Sequence, residues 1–178
     1  MGRKLICLTM AALLCATGVA RAQDTFFGDL RVRAGAFFPS DSTLTNLNKT
    51  WFGVGVAYVM PSIPLLGAMQ TELAVDVFTH SAGGSRGTVT PITINIVYSE
   101  PTSVVPTRLM VGAGAYVIDA VGASKTIFGG RVGLNFGFAG EWTLDVNYDF
   151  TEKLTQVTTG GTVQFRGSGL SVMLGRRF

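Results

Sequence analysis

The sequence predicts an all-β protein: an eight-stranded antiparallel transmembrane β-barrel, both termini periplasmic, preceded by a cleaved signal peptide. Four observations predict it. Apolar and polar side chains alternate with period two through eight segments. After the N-terminal region, no stretch holds the 18 consecutive apolar residues of a transmembrane helix. Yet only 14% of the residues are charged, well below the roughly 25% of an ordinary soluble domain. Finally, residues 170–178 alternate up to the last side chain, the aromatic Phe178, where soluble chain ends usually fray.

The N-terminus reads as an export address. Arg3 and Lys4 precede a mostly apolar run over 5–16, and Ala20-Arg21-Ala22 has the small-x-small form of a signal-peptidase site. The apolar run is shorter than the roughly 20 residues of a permanent helical span. Cys15 raises a lipoprotein alternative, but Leu14 stands where a small residue is required. The expected division is therefore 1–22, signal peptide, and 23–178, barrel domain. Arg3, Lys4 and Arg21 leave with the leader, which brings the fourteen basic residues down to eleven, level with the eleven acidic ones. That balance removes the charge argument for a nucleic-acid partner. Cys7 and Cys15 leave too, so disulfides, thiolate metal sites and cysteine nucleophiles are excluded from the mature chain. A lone histidine, His80, excludes a multi-histidine metal site, and no cofactor is expected.

The segments follow in order. Over 29–38, Leu30, Val32, Ala34, Ala36 and Phe38 face one way; Arg31, Arg33, Gly35 and Phe37 face the other. Phe52, Val54, Val56, Tyr58 and Met60 oppose Gly53, Gly55 and Ala57. Thr71, Leu73, Val75 and Val77 alternate with Glu72, Ala74, Asp76 and Phe78. Ile92, Ile94, Ile96 and Tyr98 are set against Thr93, Asn95 and Val97. Leu109, Val111, Ala113, Ala115 and Val117 oppose Arg108, Met110, Gly112, Gly114 and Tyr116. Phe128, Val132, Leu134, Phe136 and Phe138 oppose Arg131, Gly133, Asn135 and Gly137. Trp142, Leu144, Val146, Tyr148 and Phe150 alternate with Thr143, Asp145, Asn147 and Asp149. Leu170, Val172, Leu174 and Arg176 share the apolar face of the last segment with Phe178. Each is close to the roughly 9 to 11 residues that a tilted strand needs to cross hydrocarbon.

An even strand number puts extracellular connections at 39–50, 79–90, 118–126 and 151–168, and periplasmic turns near 61–68, 99–107 and 139–141. The parity break between Phe165 and Leu170 calls for a bulge or the tip of a long hairpin. A soluble β-sandwich also alternates. The aromatics favour the membrane. Trp51, Phe52, Tyr58, Tyr98, Phe128, Phe136, Phe138, Trp142 and Phe150 lie mainly towards strand ends on the apolar face, as an interfacial girdle requires.

With these strands and the terminal Phe178, the chain resembles the small outer-membrane barrels, the eight-stranded type that includes OmpA membrane domains, OmpX and OmpW. The resemblance implies an outer-membrane location, contact with outer-membrane lipids and lipopolysaccharide, and Phe178 as the signal read by the barrel-assembly machinery. Members commonly carry an aromatic two residues before the last; here Arg176 stands there and has to snorkel to the headgroups. No motif selects a subfamily or a ligand.

The inward face carries Arg31, Arg33, Arg108, Arg131 and Arg177 against Glu72, Asp76, Asp145 and Asp149. Eight strands enclose a lumen that side chains can fill, and buried charges there must pair. The expectation is a charge-paired plug in a structural or surface-interaction protein. The alternative is a narrow channel, or a barrel that passes small or hydrophobic molecules sideways into the membrane through an opening near 112–114 or 129–130. A remote alternative is an outer-leaflet lipid hydrolase on His80-Ser81, since some eight-stranded barrels use such a pair. Adjacent strand residues point to opposite faces, which speaks against that pair. His80 is expected in a loop, in water, and the protein is not expected to be an enzyme. Gly83-Gly84 and Gly160-Gly161 lack the helix and Gly-Lys-Ser/Thr ending of a phosphate loop and read as turns.

Overall fold

A computed structural model describes residues 29–60, 69–82, 85–99, 107–138, 141–158 and 161–178. The expected leader, 1–22, and the turns 61–68 and 100–106 lie outside the described residues. Among the described residues, ten strands and one short helix follow in chain order. They are β1 (Asp29–Pro39), α1 (Ser42–Leu47), β2 (Trp51–Val59), β3 (Met69–Ala82), β4 (Ser85–Ser99) and β5 (Thr107–Ala120). Then come β6 (Ala123–Phe138), β7 (Trp142–Thr151), β8 (Lys153–Thr158), β9 (Gly161–Arg166) and β10 (Gly169–Arg177). Eight of the strands close in the order β1-β10-β7-β6-β5-β4-β3-β2, all antiparallel, and β8–β9 form a separate two-stranded sheet. The barrel shuts where Ala36 pairs with Val172 and with Phe52, its first strand against its last and its second.

The alternation sorts side chains by face. Phe52 (69% exposed), Ile94 (59%) and Phe128 (72%) point outward with the rest of the apolar face, while Arg31, Arg33, Glu72, Asp76, Arg131, Asp145 and Asp149 are buried inside. A soluble sandwich would reverse this arrangement. Every outward hydrocarbon left in water would cost about 25 cal/mol per Å², so the exposed belt requires an apolar surrounding.

The wall is uneven. The β2–β3 ladder ends at Phe52↔Thr79, yet β3–β4 continues to Ala82↔Ser85. Similarly β6–β7 ends at Gly129↔Thr151, while β5–β6 runs on to Ala120↔Ala123. Most of the loop expected over 79–90 and of that over 118–126 is therefore strand. Alternation persists beyond the apolar belt, with Val89, Ile118 and Ile127 still buried inward, and only the outward face turns polar. The β5–β6 connection shrinks to Val121-Gly122, both at positive φ (56° and 72°), as a tight turn matched to strand twist demands.

On the short side of the wall, connections fill the gap. Asp41 caps α1 by accepting from Thr43 N (2.9 Å) within the loop expected over 39–50. The connection over 151–168 rises as the β8–β9 hairpin and returns through Gly167-Ser168. The parity break thus comes from a hairpin leaving the barrel, with no bulge needed.

Candidate functional site in the barrel interior

The interior has three tiers. The first, nearest the chain terminus, centres on Arg31 of β1, which bonds Glu72 of β3 and Asp145 of β7 (3.0 Å). Asn95 Nδ2 donates to Glu72 Oε1 (3.1 Å) and Asn135 Nδ2 to Asp145 Oδ1 (2.6 Å). In the second, Arg33 grips Asp76 with Nε and Nη2 (2.8 and 2.9 Å). Arg131 of β6 reaches across to the same Asp76 with Nη1 (2.8 Å) and holds Asp149 with Nε and Nη2 (2.7 and 3.1 Å). The Tyr116 hydroxyl donates to Asp149 Oδ1 at 2.7 Å. A looser contact, Arg33 Nη1 to Asp145 Oδ2 at 3.7 Å, links the two tiers.

Seven of the nine residues singled out from sequence thus share one buried network joining β1, β3, β6 and β7. The other two, Arg108 and Arg177, lie half-buried on the same inward face, opposite Asn135 and Arg31 in their ladders. Satisfaction is incomplete: the Asn147 amide and the Thr93 and Thr143 hydroxyls are buried without hydrogen-bond partners among the described residues.

Glycine makes room for these groups. Gly55 lies directly opposite Asp76, Gly112 opposite Asn95 and Gly133 opposite Asn147. In each case a Cβ on the glycine would fall inside the side chain across the ladder. The glycines are therefore places of close approach, as expected for a narrow barrel.

The third tier is apolar. Phe37, Trp51, Phe78, Val89, Tyr116, Ile118, Ile127 and Met173 from the wall pack with Leu44 of α1 and with Leu154 and Phe165 of the β8–β9 hairpin. Phe37 stacks on Phe78 (centroids 5.0 Å) and meets Trp51 edge-on (6.4 Å). Helix and hairpin thereby form a lid over the end of the barrel away from the termini. Arg166 N to Asp41 Oδ2 (3.0 Å) holds the hairpin to the cap of α1, and Ser40 N to Ser168 O (2.9 Å) continues the β1–β10 ladder beside them.

Two expectations fail in this tier. Trp51, counted with the outward girdle, is fully buried inside, because its neighbour Phe52 takes the outward position and parity turns the indole in. The glycine opposite His80, Gly87, leaves space for that indole. His80, expected in a loop in water, is only 4% exposed, since β3 continues past Phe78 and carries it inward. Ser81 is exposed on the other face, so the pair does not act together.

At the opposite rim Arg176 points outward and bonds Glu141 (Nη2 to Oε2, 3.0 Å), with its guanidinium 5.3 Å from the Phe178 ring centroid. Both partners are about half exposed, so the charge sits at the rim beside Trp142, its ladder partner, and away from mid-belt. The wall shows no opening near 112–114 or 129–130: Gly112 pairs with Asn95 and Arg131, Gly129 with Thr151 and Gly130 with Phe150.

No protein-family model matches the sequence, and no curated protein matches it. Solved structures do. Neisserial surface protein A aligns with 84% of this chain and 96% of its own at 15% identity, with a TM-score of 0.51. The N-terminal β-barrel domain of Pseudomonas aeruginosa OprF aligns over 85% and 98% at 14% identity, TM-score 0.52. Ail, the attachment invasion locus protein of Yersinia pestis, aligns over 86% and 100% at 13% identity, TM-score 0.50. With its closed antiparallel wall, apolar exterior and charge-paired interior, this chain has the fold of the small eight-stranded outer-membrane barrels.

Proposed function

We propose that this chain is an integral outer-membrane protein with a closed interior, acting as a structural element of the envelope or as a surface-contact protein. The observation that carries this reading is the double closure of the lumen. Carboxylates and guanidiniums from four strands meet across the barrel, and an apolar lid lies above them. An ion or solute passing through would have to part buried, mutually bonded charges and then the lid, which is costly because neither has a replacement partner. The outward surface is a belt of Leu, Val, Ile and Phe between an outer collar of polar strand and a rim carrying Arg176 and Trp142, as lipid contact requires.

Two fold neighbours carry a surface protein and an attachment invasion protein in their descriptions, which accords with a role at the outer face. Outer-membrane lipids and lipopolysaccharide are the proposed surroundings, and Phe178, exposed at the rim, the proposed contact for the barrel-assembly machinery. No catalysis is proposed, since His80 is buried without a serine partner.

The purified chain in planar bilayers is expected to give no steady unitary current at neutral pH. Steady steps that disappear or change size on Arg131→Met or Asp145→Asn would overturn the closed interior in favour of a channel.

A further inference from the structure

His80, the one histidine of the chain, joins the lid to the wall. Its Nδ1 lies 3.0 Å from Asn48 Nδ2. Asn48 is the residue that ends α1, its N–H bonding Leu44 O (3.2 Å), and it also ties down the start of β2. Its carbonyl accepts from Trp51 Nε1 (2.9 Å), and its Oδ1 accepts from Thr50 N (3.2 Å). With Oδ1 already occupied, the Asn48 amide nitrogen faces the imidazole and donates to Nδ1. That hydrogen bond requires the neutral ring with its proton on Nε2. Nε2 itself is buried with no hydrogen-bond partner among the described residues. The Trp51 ring lies against the imidazole at 5.8 Å between centroids.

Among the described residues no charged group is placed to balance the charge of a second ring proton. From β2 the ring faces Trp51 and from β4 Gly87, neither titratable. On its own strand the next inward acid is Asp76, already committed to Arg33 and Arg131. From β5, Tyr116 is committed to Asp149. In the lid, Asp41 binds Thr43 N and Arg166 N. Lys49, Arg86, Asp119, Lys125, Glu152, Lys153 and Arg166 are all exposed to solvent and none pairs with the ring. Protonation of Nδ1 would therefore set donor against donor at Asn48 and leave an imidazolium in an apolar cluster without a carboxylate. Turning the Asn48 amide round does not help, because it gives up the bond from Thr50 N.

We propose that His80 is an acid-sensitive latch: proton uptake at the imidazole frees Asn48, and α1 leaves the mouth together with the β8–β9 hairpin bonded to it. The two move together because the bond from Arg166 N, at the end of β9, to Asp41, the cap of α1, joins them. Release uncovers the apolar chamber walled by Phe37, Phe78 and Tyr116, while the charged tiers beneath stay paired. The latch does not rest on the function proposed above. Open and closed forms differ by one proton, so their ratio rises by up to about tenfold per pH unit through the transition.

The test uses the full, untagged chain in phosphatidylcholine vesicles with Trp142→Phe, which leaves Trp51 as the single tryptophan. Between pH 8 and pH 5, Trp51 emission is expected to shift reversibly to the red, and proteinase K to cut within 152–168 at least tenfold faster. In His80→Gln both changes are expected to vanish. An unchanged Trp51 spectrum over this range overturns the latch, and so does an equal red shift in His80→Gln. Should His80→Gln fail to fold, the imidazole proton resonances of the unaltered ring take its place, identifiable without assignment because there is one histidine. They are expected to titrate together with the Trp51 shift, and titration with no change at Trp51 overturns the latch.

Discussion

Arg131→Met removes the residue that bridges the widest gap in the charge network. The guanidinium makes three bonds of 2.7–3.1 Å to Asp76 and Asp149, and all three groups are fully buried. After the change Asp76 keeps its two bonds from Arg33, and Asp149 keeps only the Tyr116 hydroxyl. Among the fully buried members, three arginines face four carboxylates; with Arg131 gone, two face four. Hydrogen bonds to charged groups contribute about 1.5–3 kcal/mol each, but they are not additive, and Asp76 remains paired. The expected loss is therefore about 3–5 kcal/mol, the range for breaking a buried pair from one side. Reversible urea unfolding in lipid vesicles, followed by tryptophan fluorescence, measures it. Arg131→Met/Asp149→Leu removes both the cation and its orphaned anion and is expected to recover at least half of that loss. A single-variant loss below about 1 kcal/mol, or strict additivity in the double variant, would refute the view that the tier is held by mutual charge pairing.

Two further changes probe other parts of the barrel. Arg176→Gln breaks the Glu141 pair at the rim, where both side chains are about half exposed; unfolding free energy should fall by less than about 1 kcal/mol, and a larger loss would mean the pair lies in a drier place. Gly87→Leu drives a side chain into the Trp51 indole; overpacking costs about 1–3 kcal/mol, and the loss should appear as faster proteolysis of the lid while the barrel keeps its heat-resistant gel mobility.

Side-chain parity made most of the wall legible, because the two faces of a barrel strand meet opposite media and any inward Arg or Asp betrays its side. Arg31, Arg33, Glu72, Asp76, Arg131, Asp145 and Asp149 could be placed together for that reason. Parity alone also places Trp51 inside, as the neighbour of outward Phe52; the preference of indoles for membrane interfaces obscured it. The height of the wall was not legible. Beyond the belt the outward residues of β3–β6, such as Ser81, Arg86, Thr88 and Ser124, become as polar as a loop, and only the inward Val89, Ile118 and Ile127 keep the strand signal. The lid was hidden too. The six residues of α1 are too few for a helical period, and Leu154 and Phe165 acquire meaning only when the hairpin folds over the mouth. With the lid unseen, nothing marked His80 as buried.

The small-against-large pairs inside the wall have a consequence for how the strands find their alignment. Alternation penalises a slip of one residue, which would turn every side chain to the wrong medium, but a slip of two preserves inside and outside and goes undetected. Gly53 and Gly55 of β2 face Phe78 and Asp76 of β3, and Gly133 of β6 faces Asn147 of β7. Shifting β2 by two residues one way sets Ala57 against Asp76, where even a Cβ has no room beside the carboxylate. Size matching across each ladder therefore proofreads the slips that hydrophobicity cannot see, and compensating pairs of substitutions should be tolerated where either change alone is not.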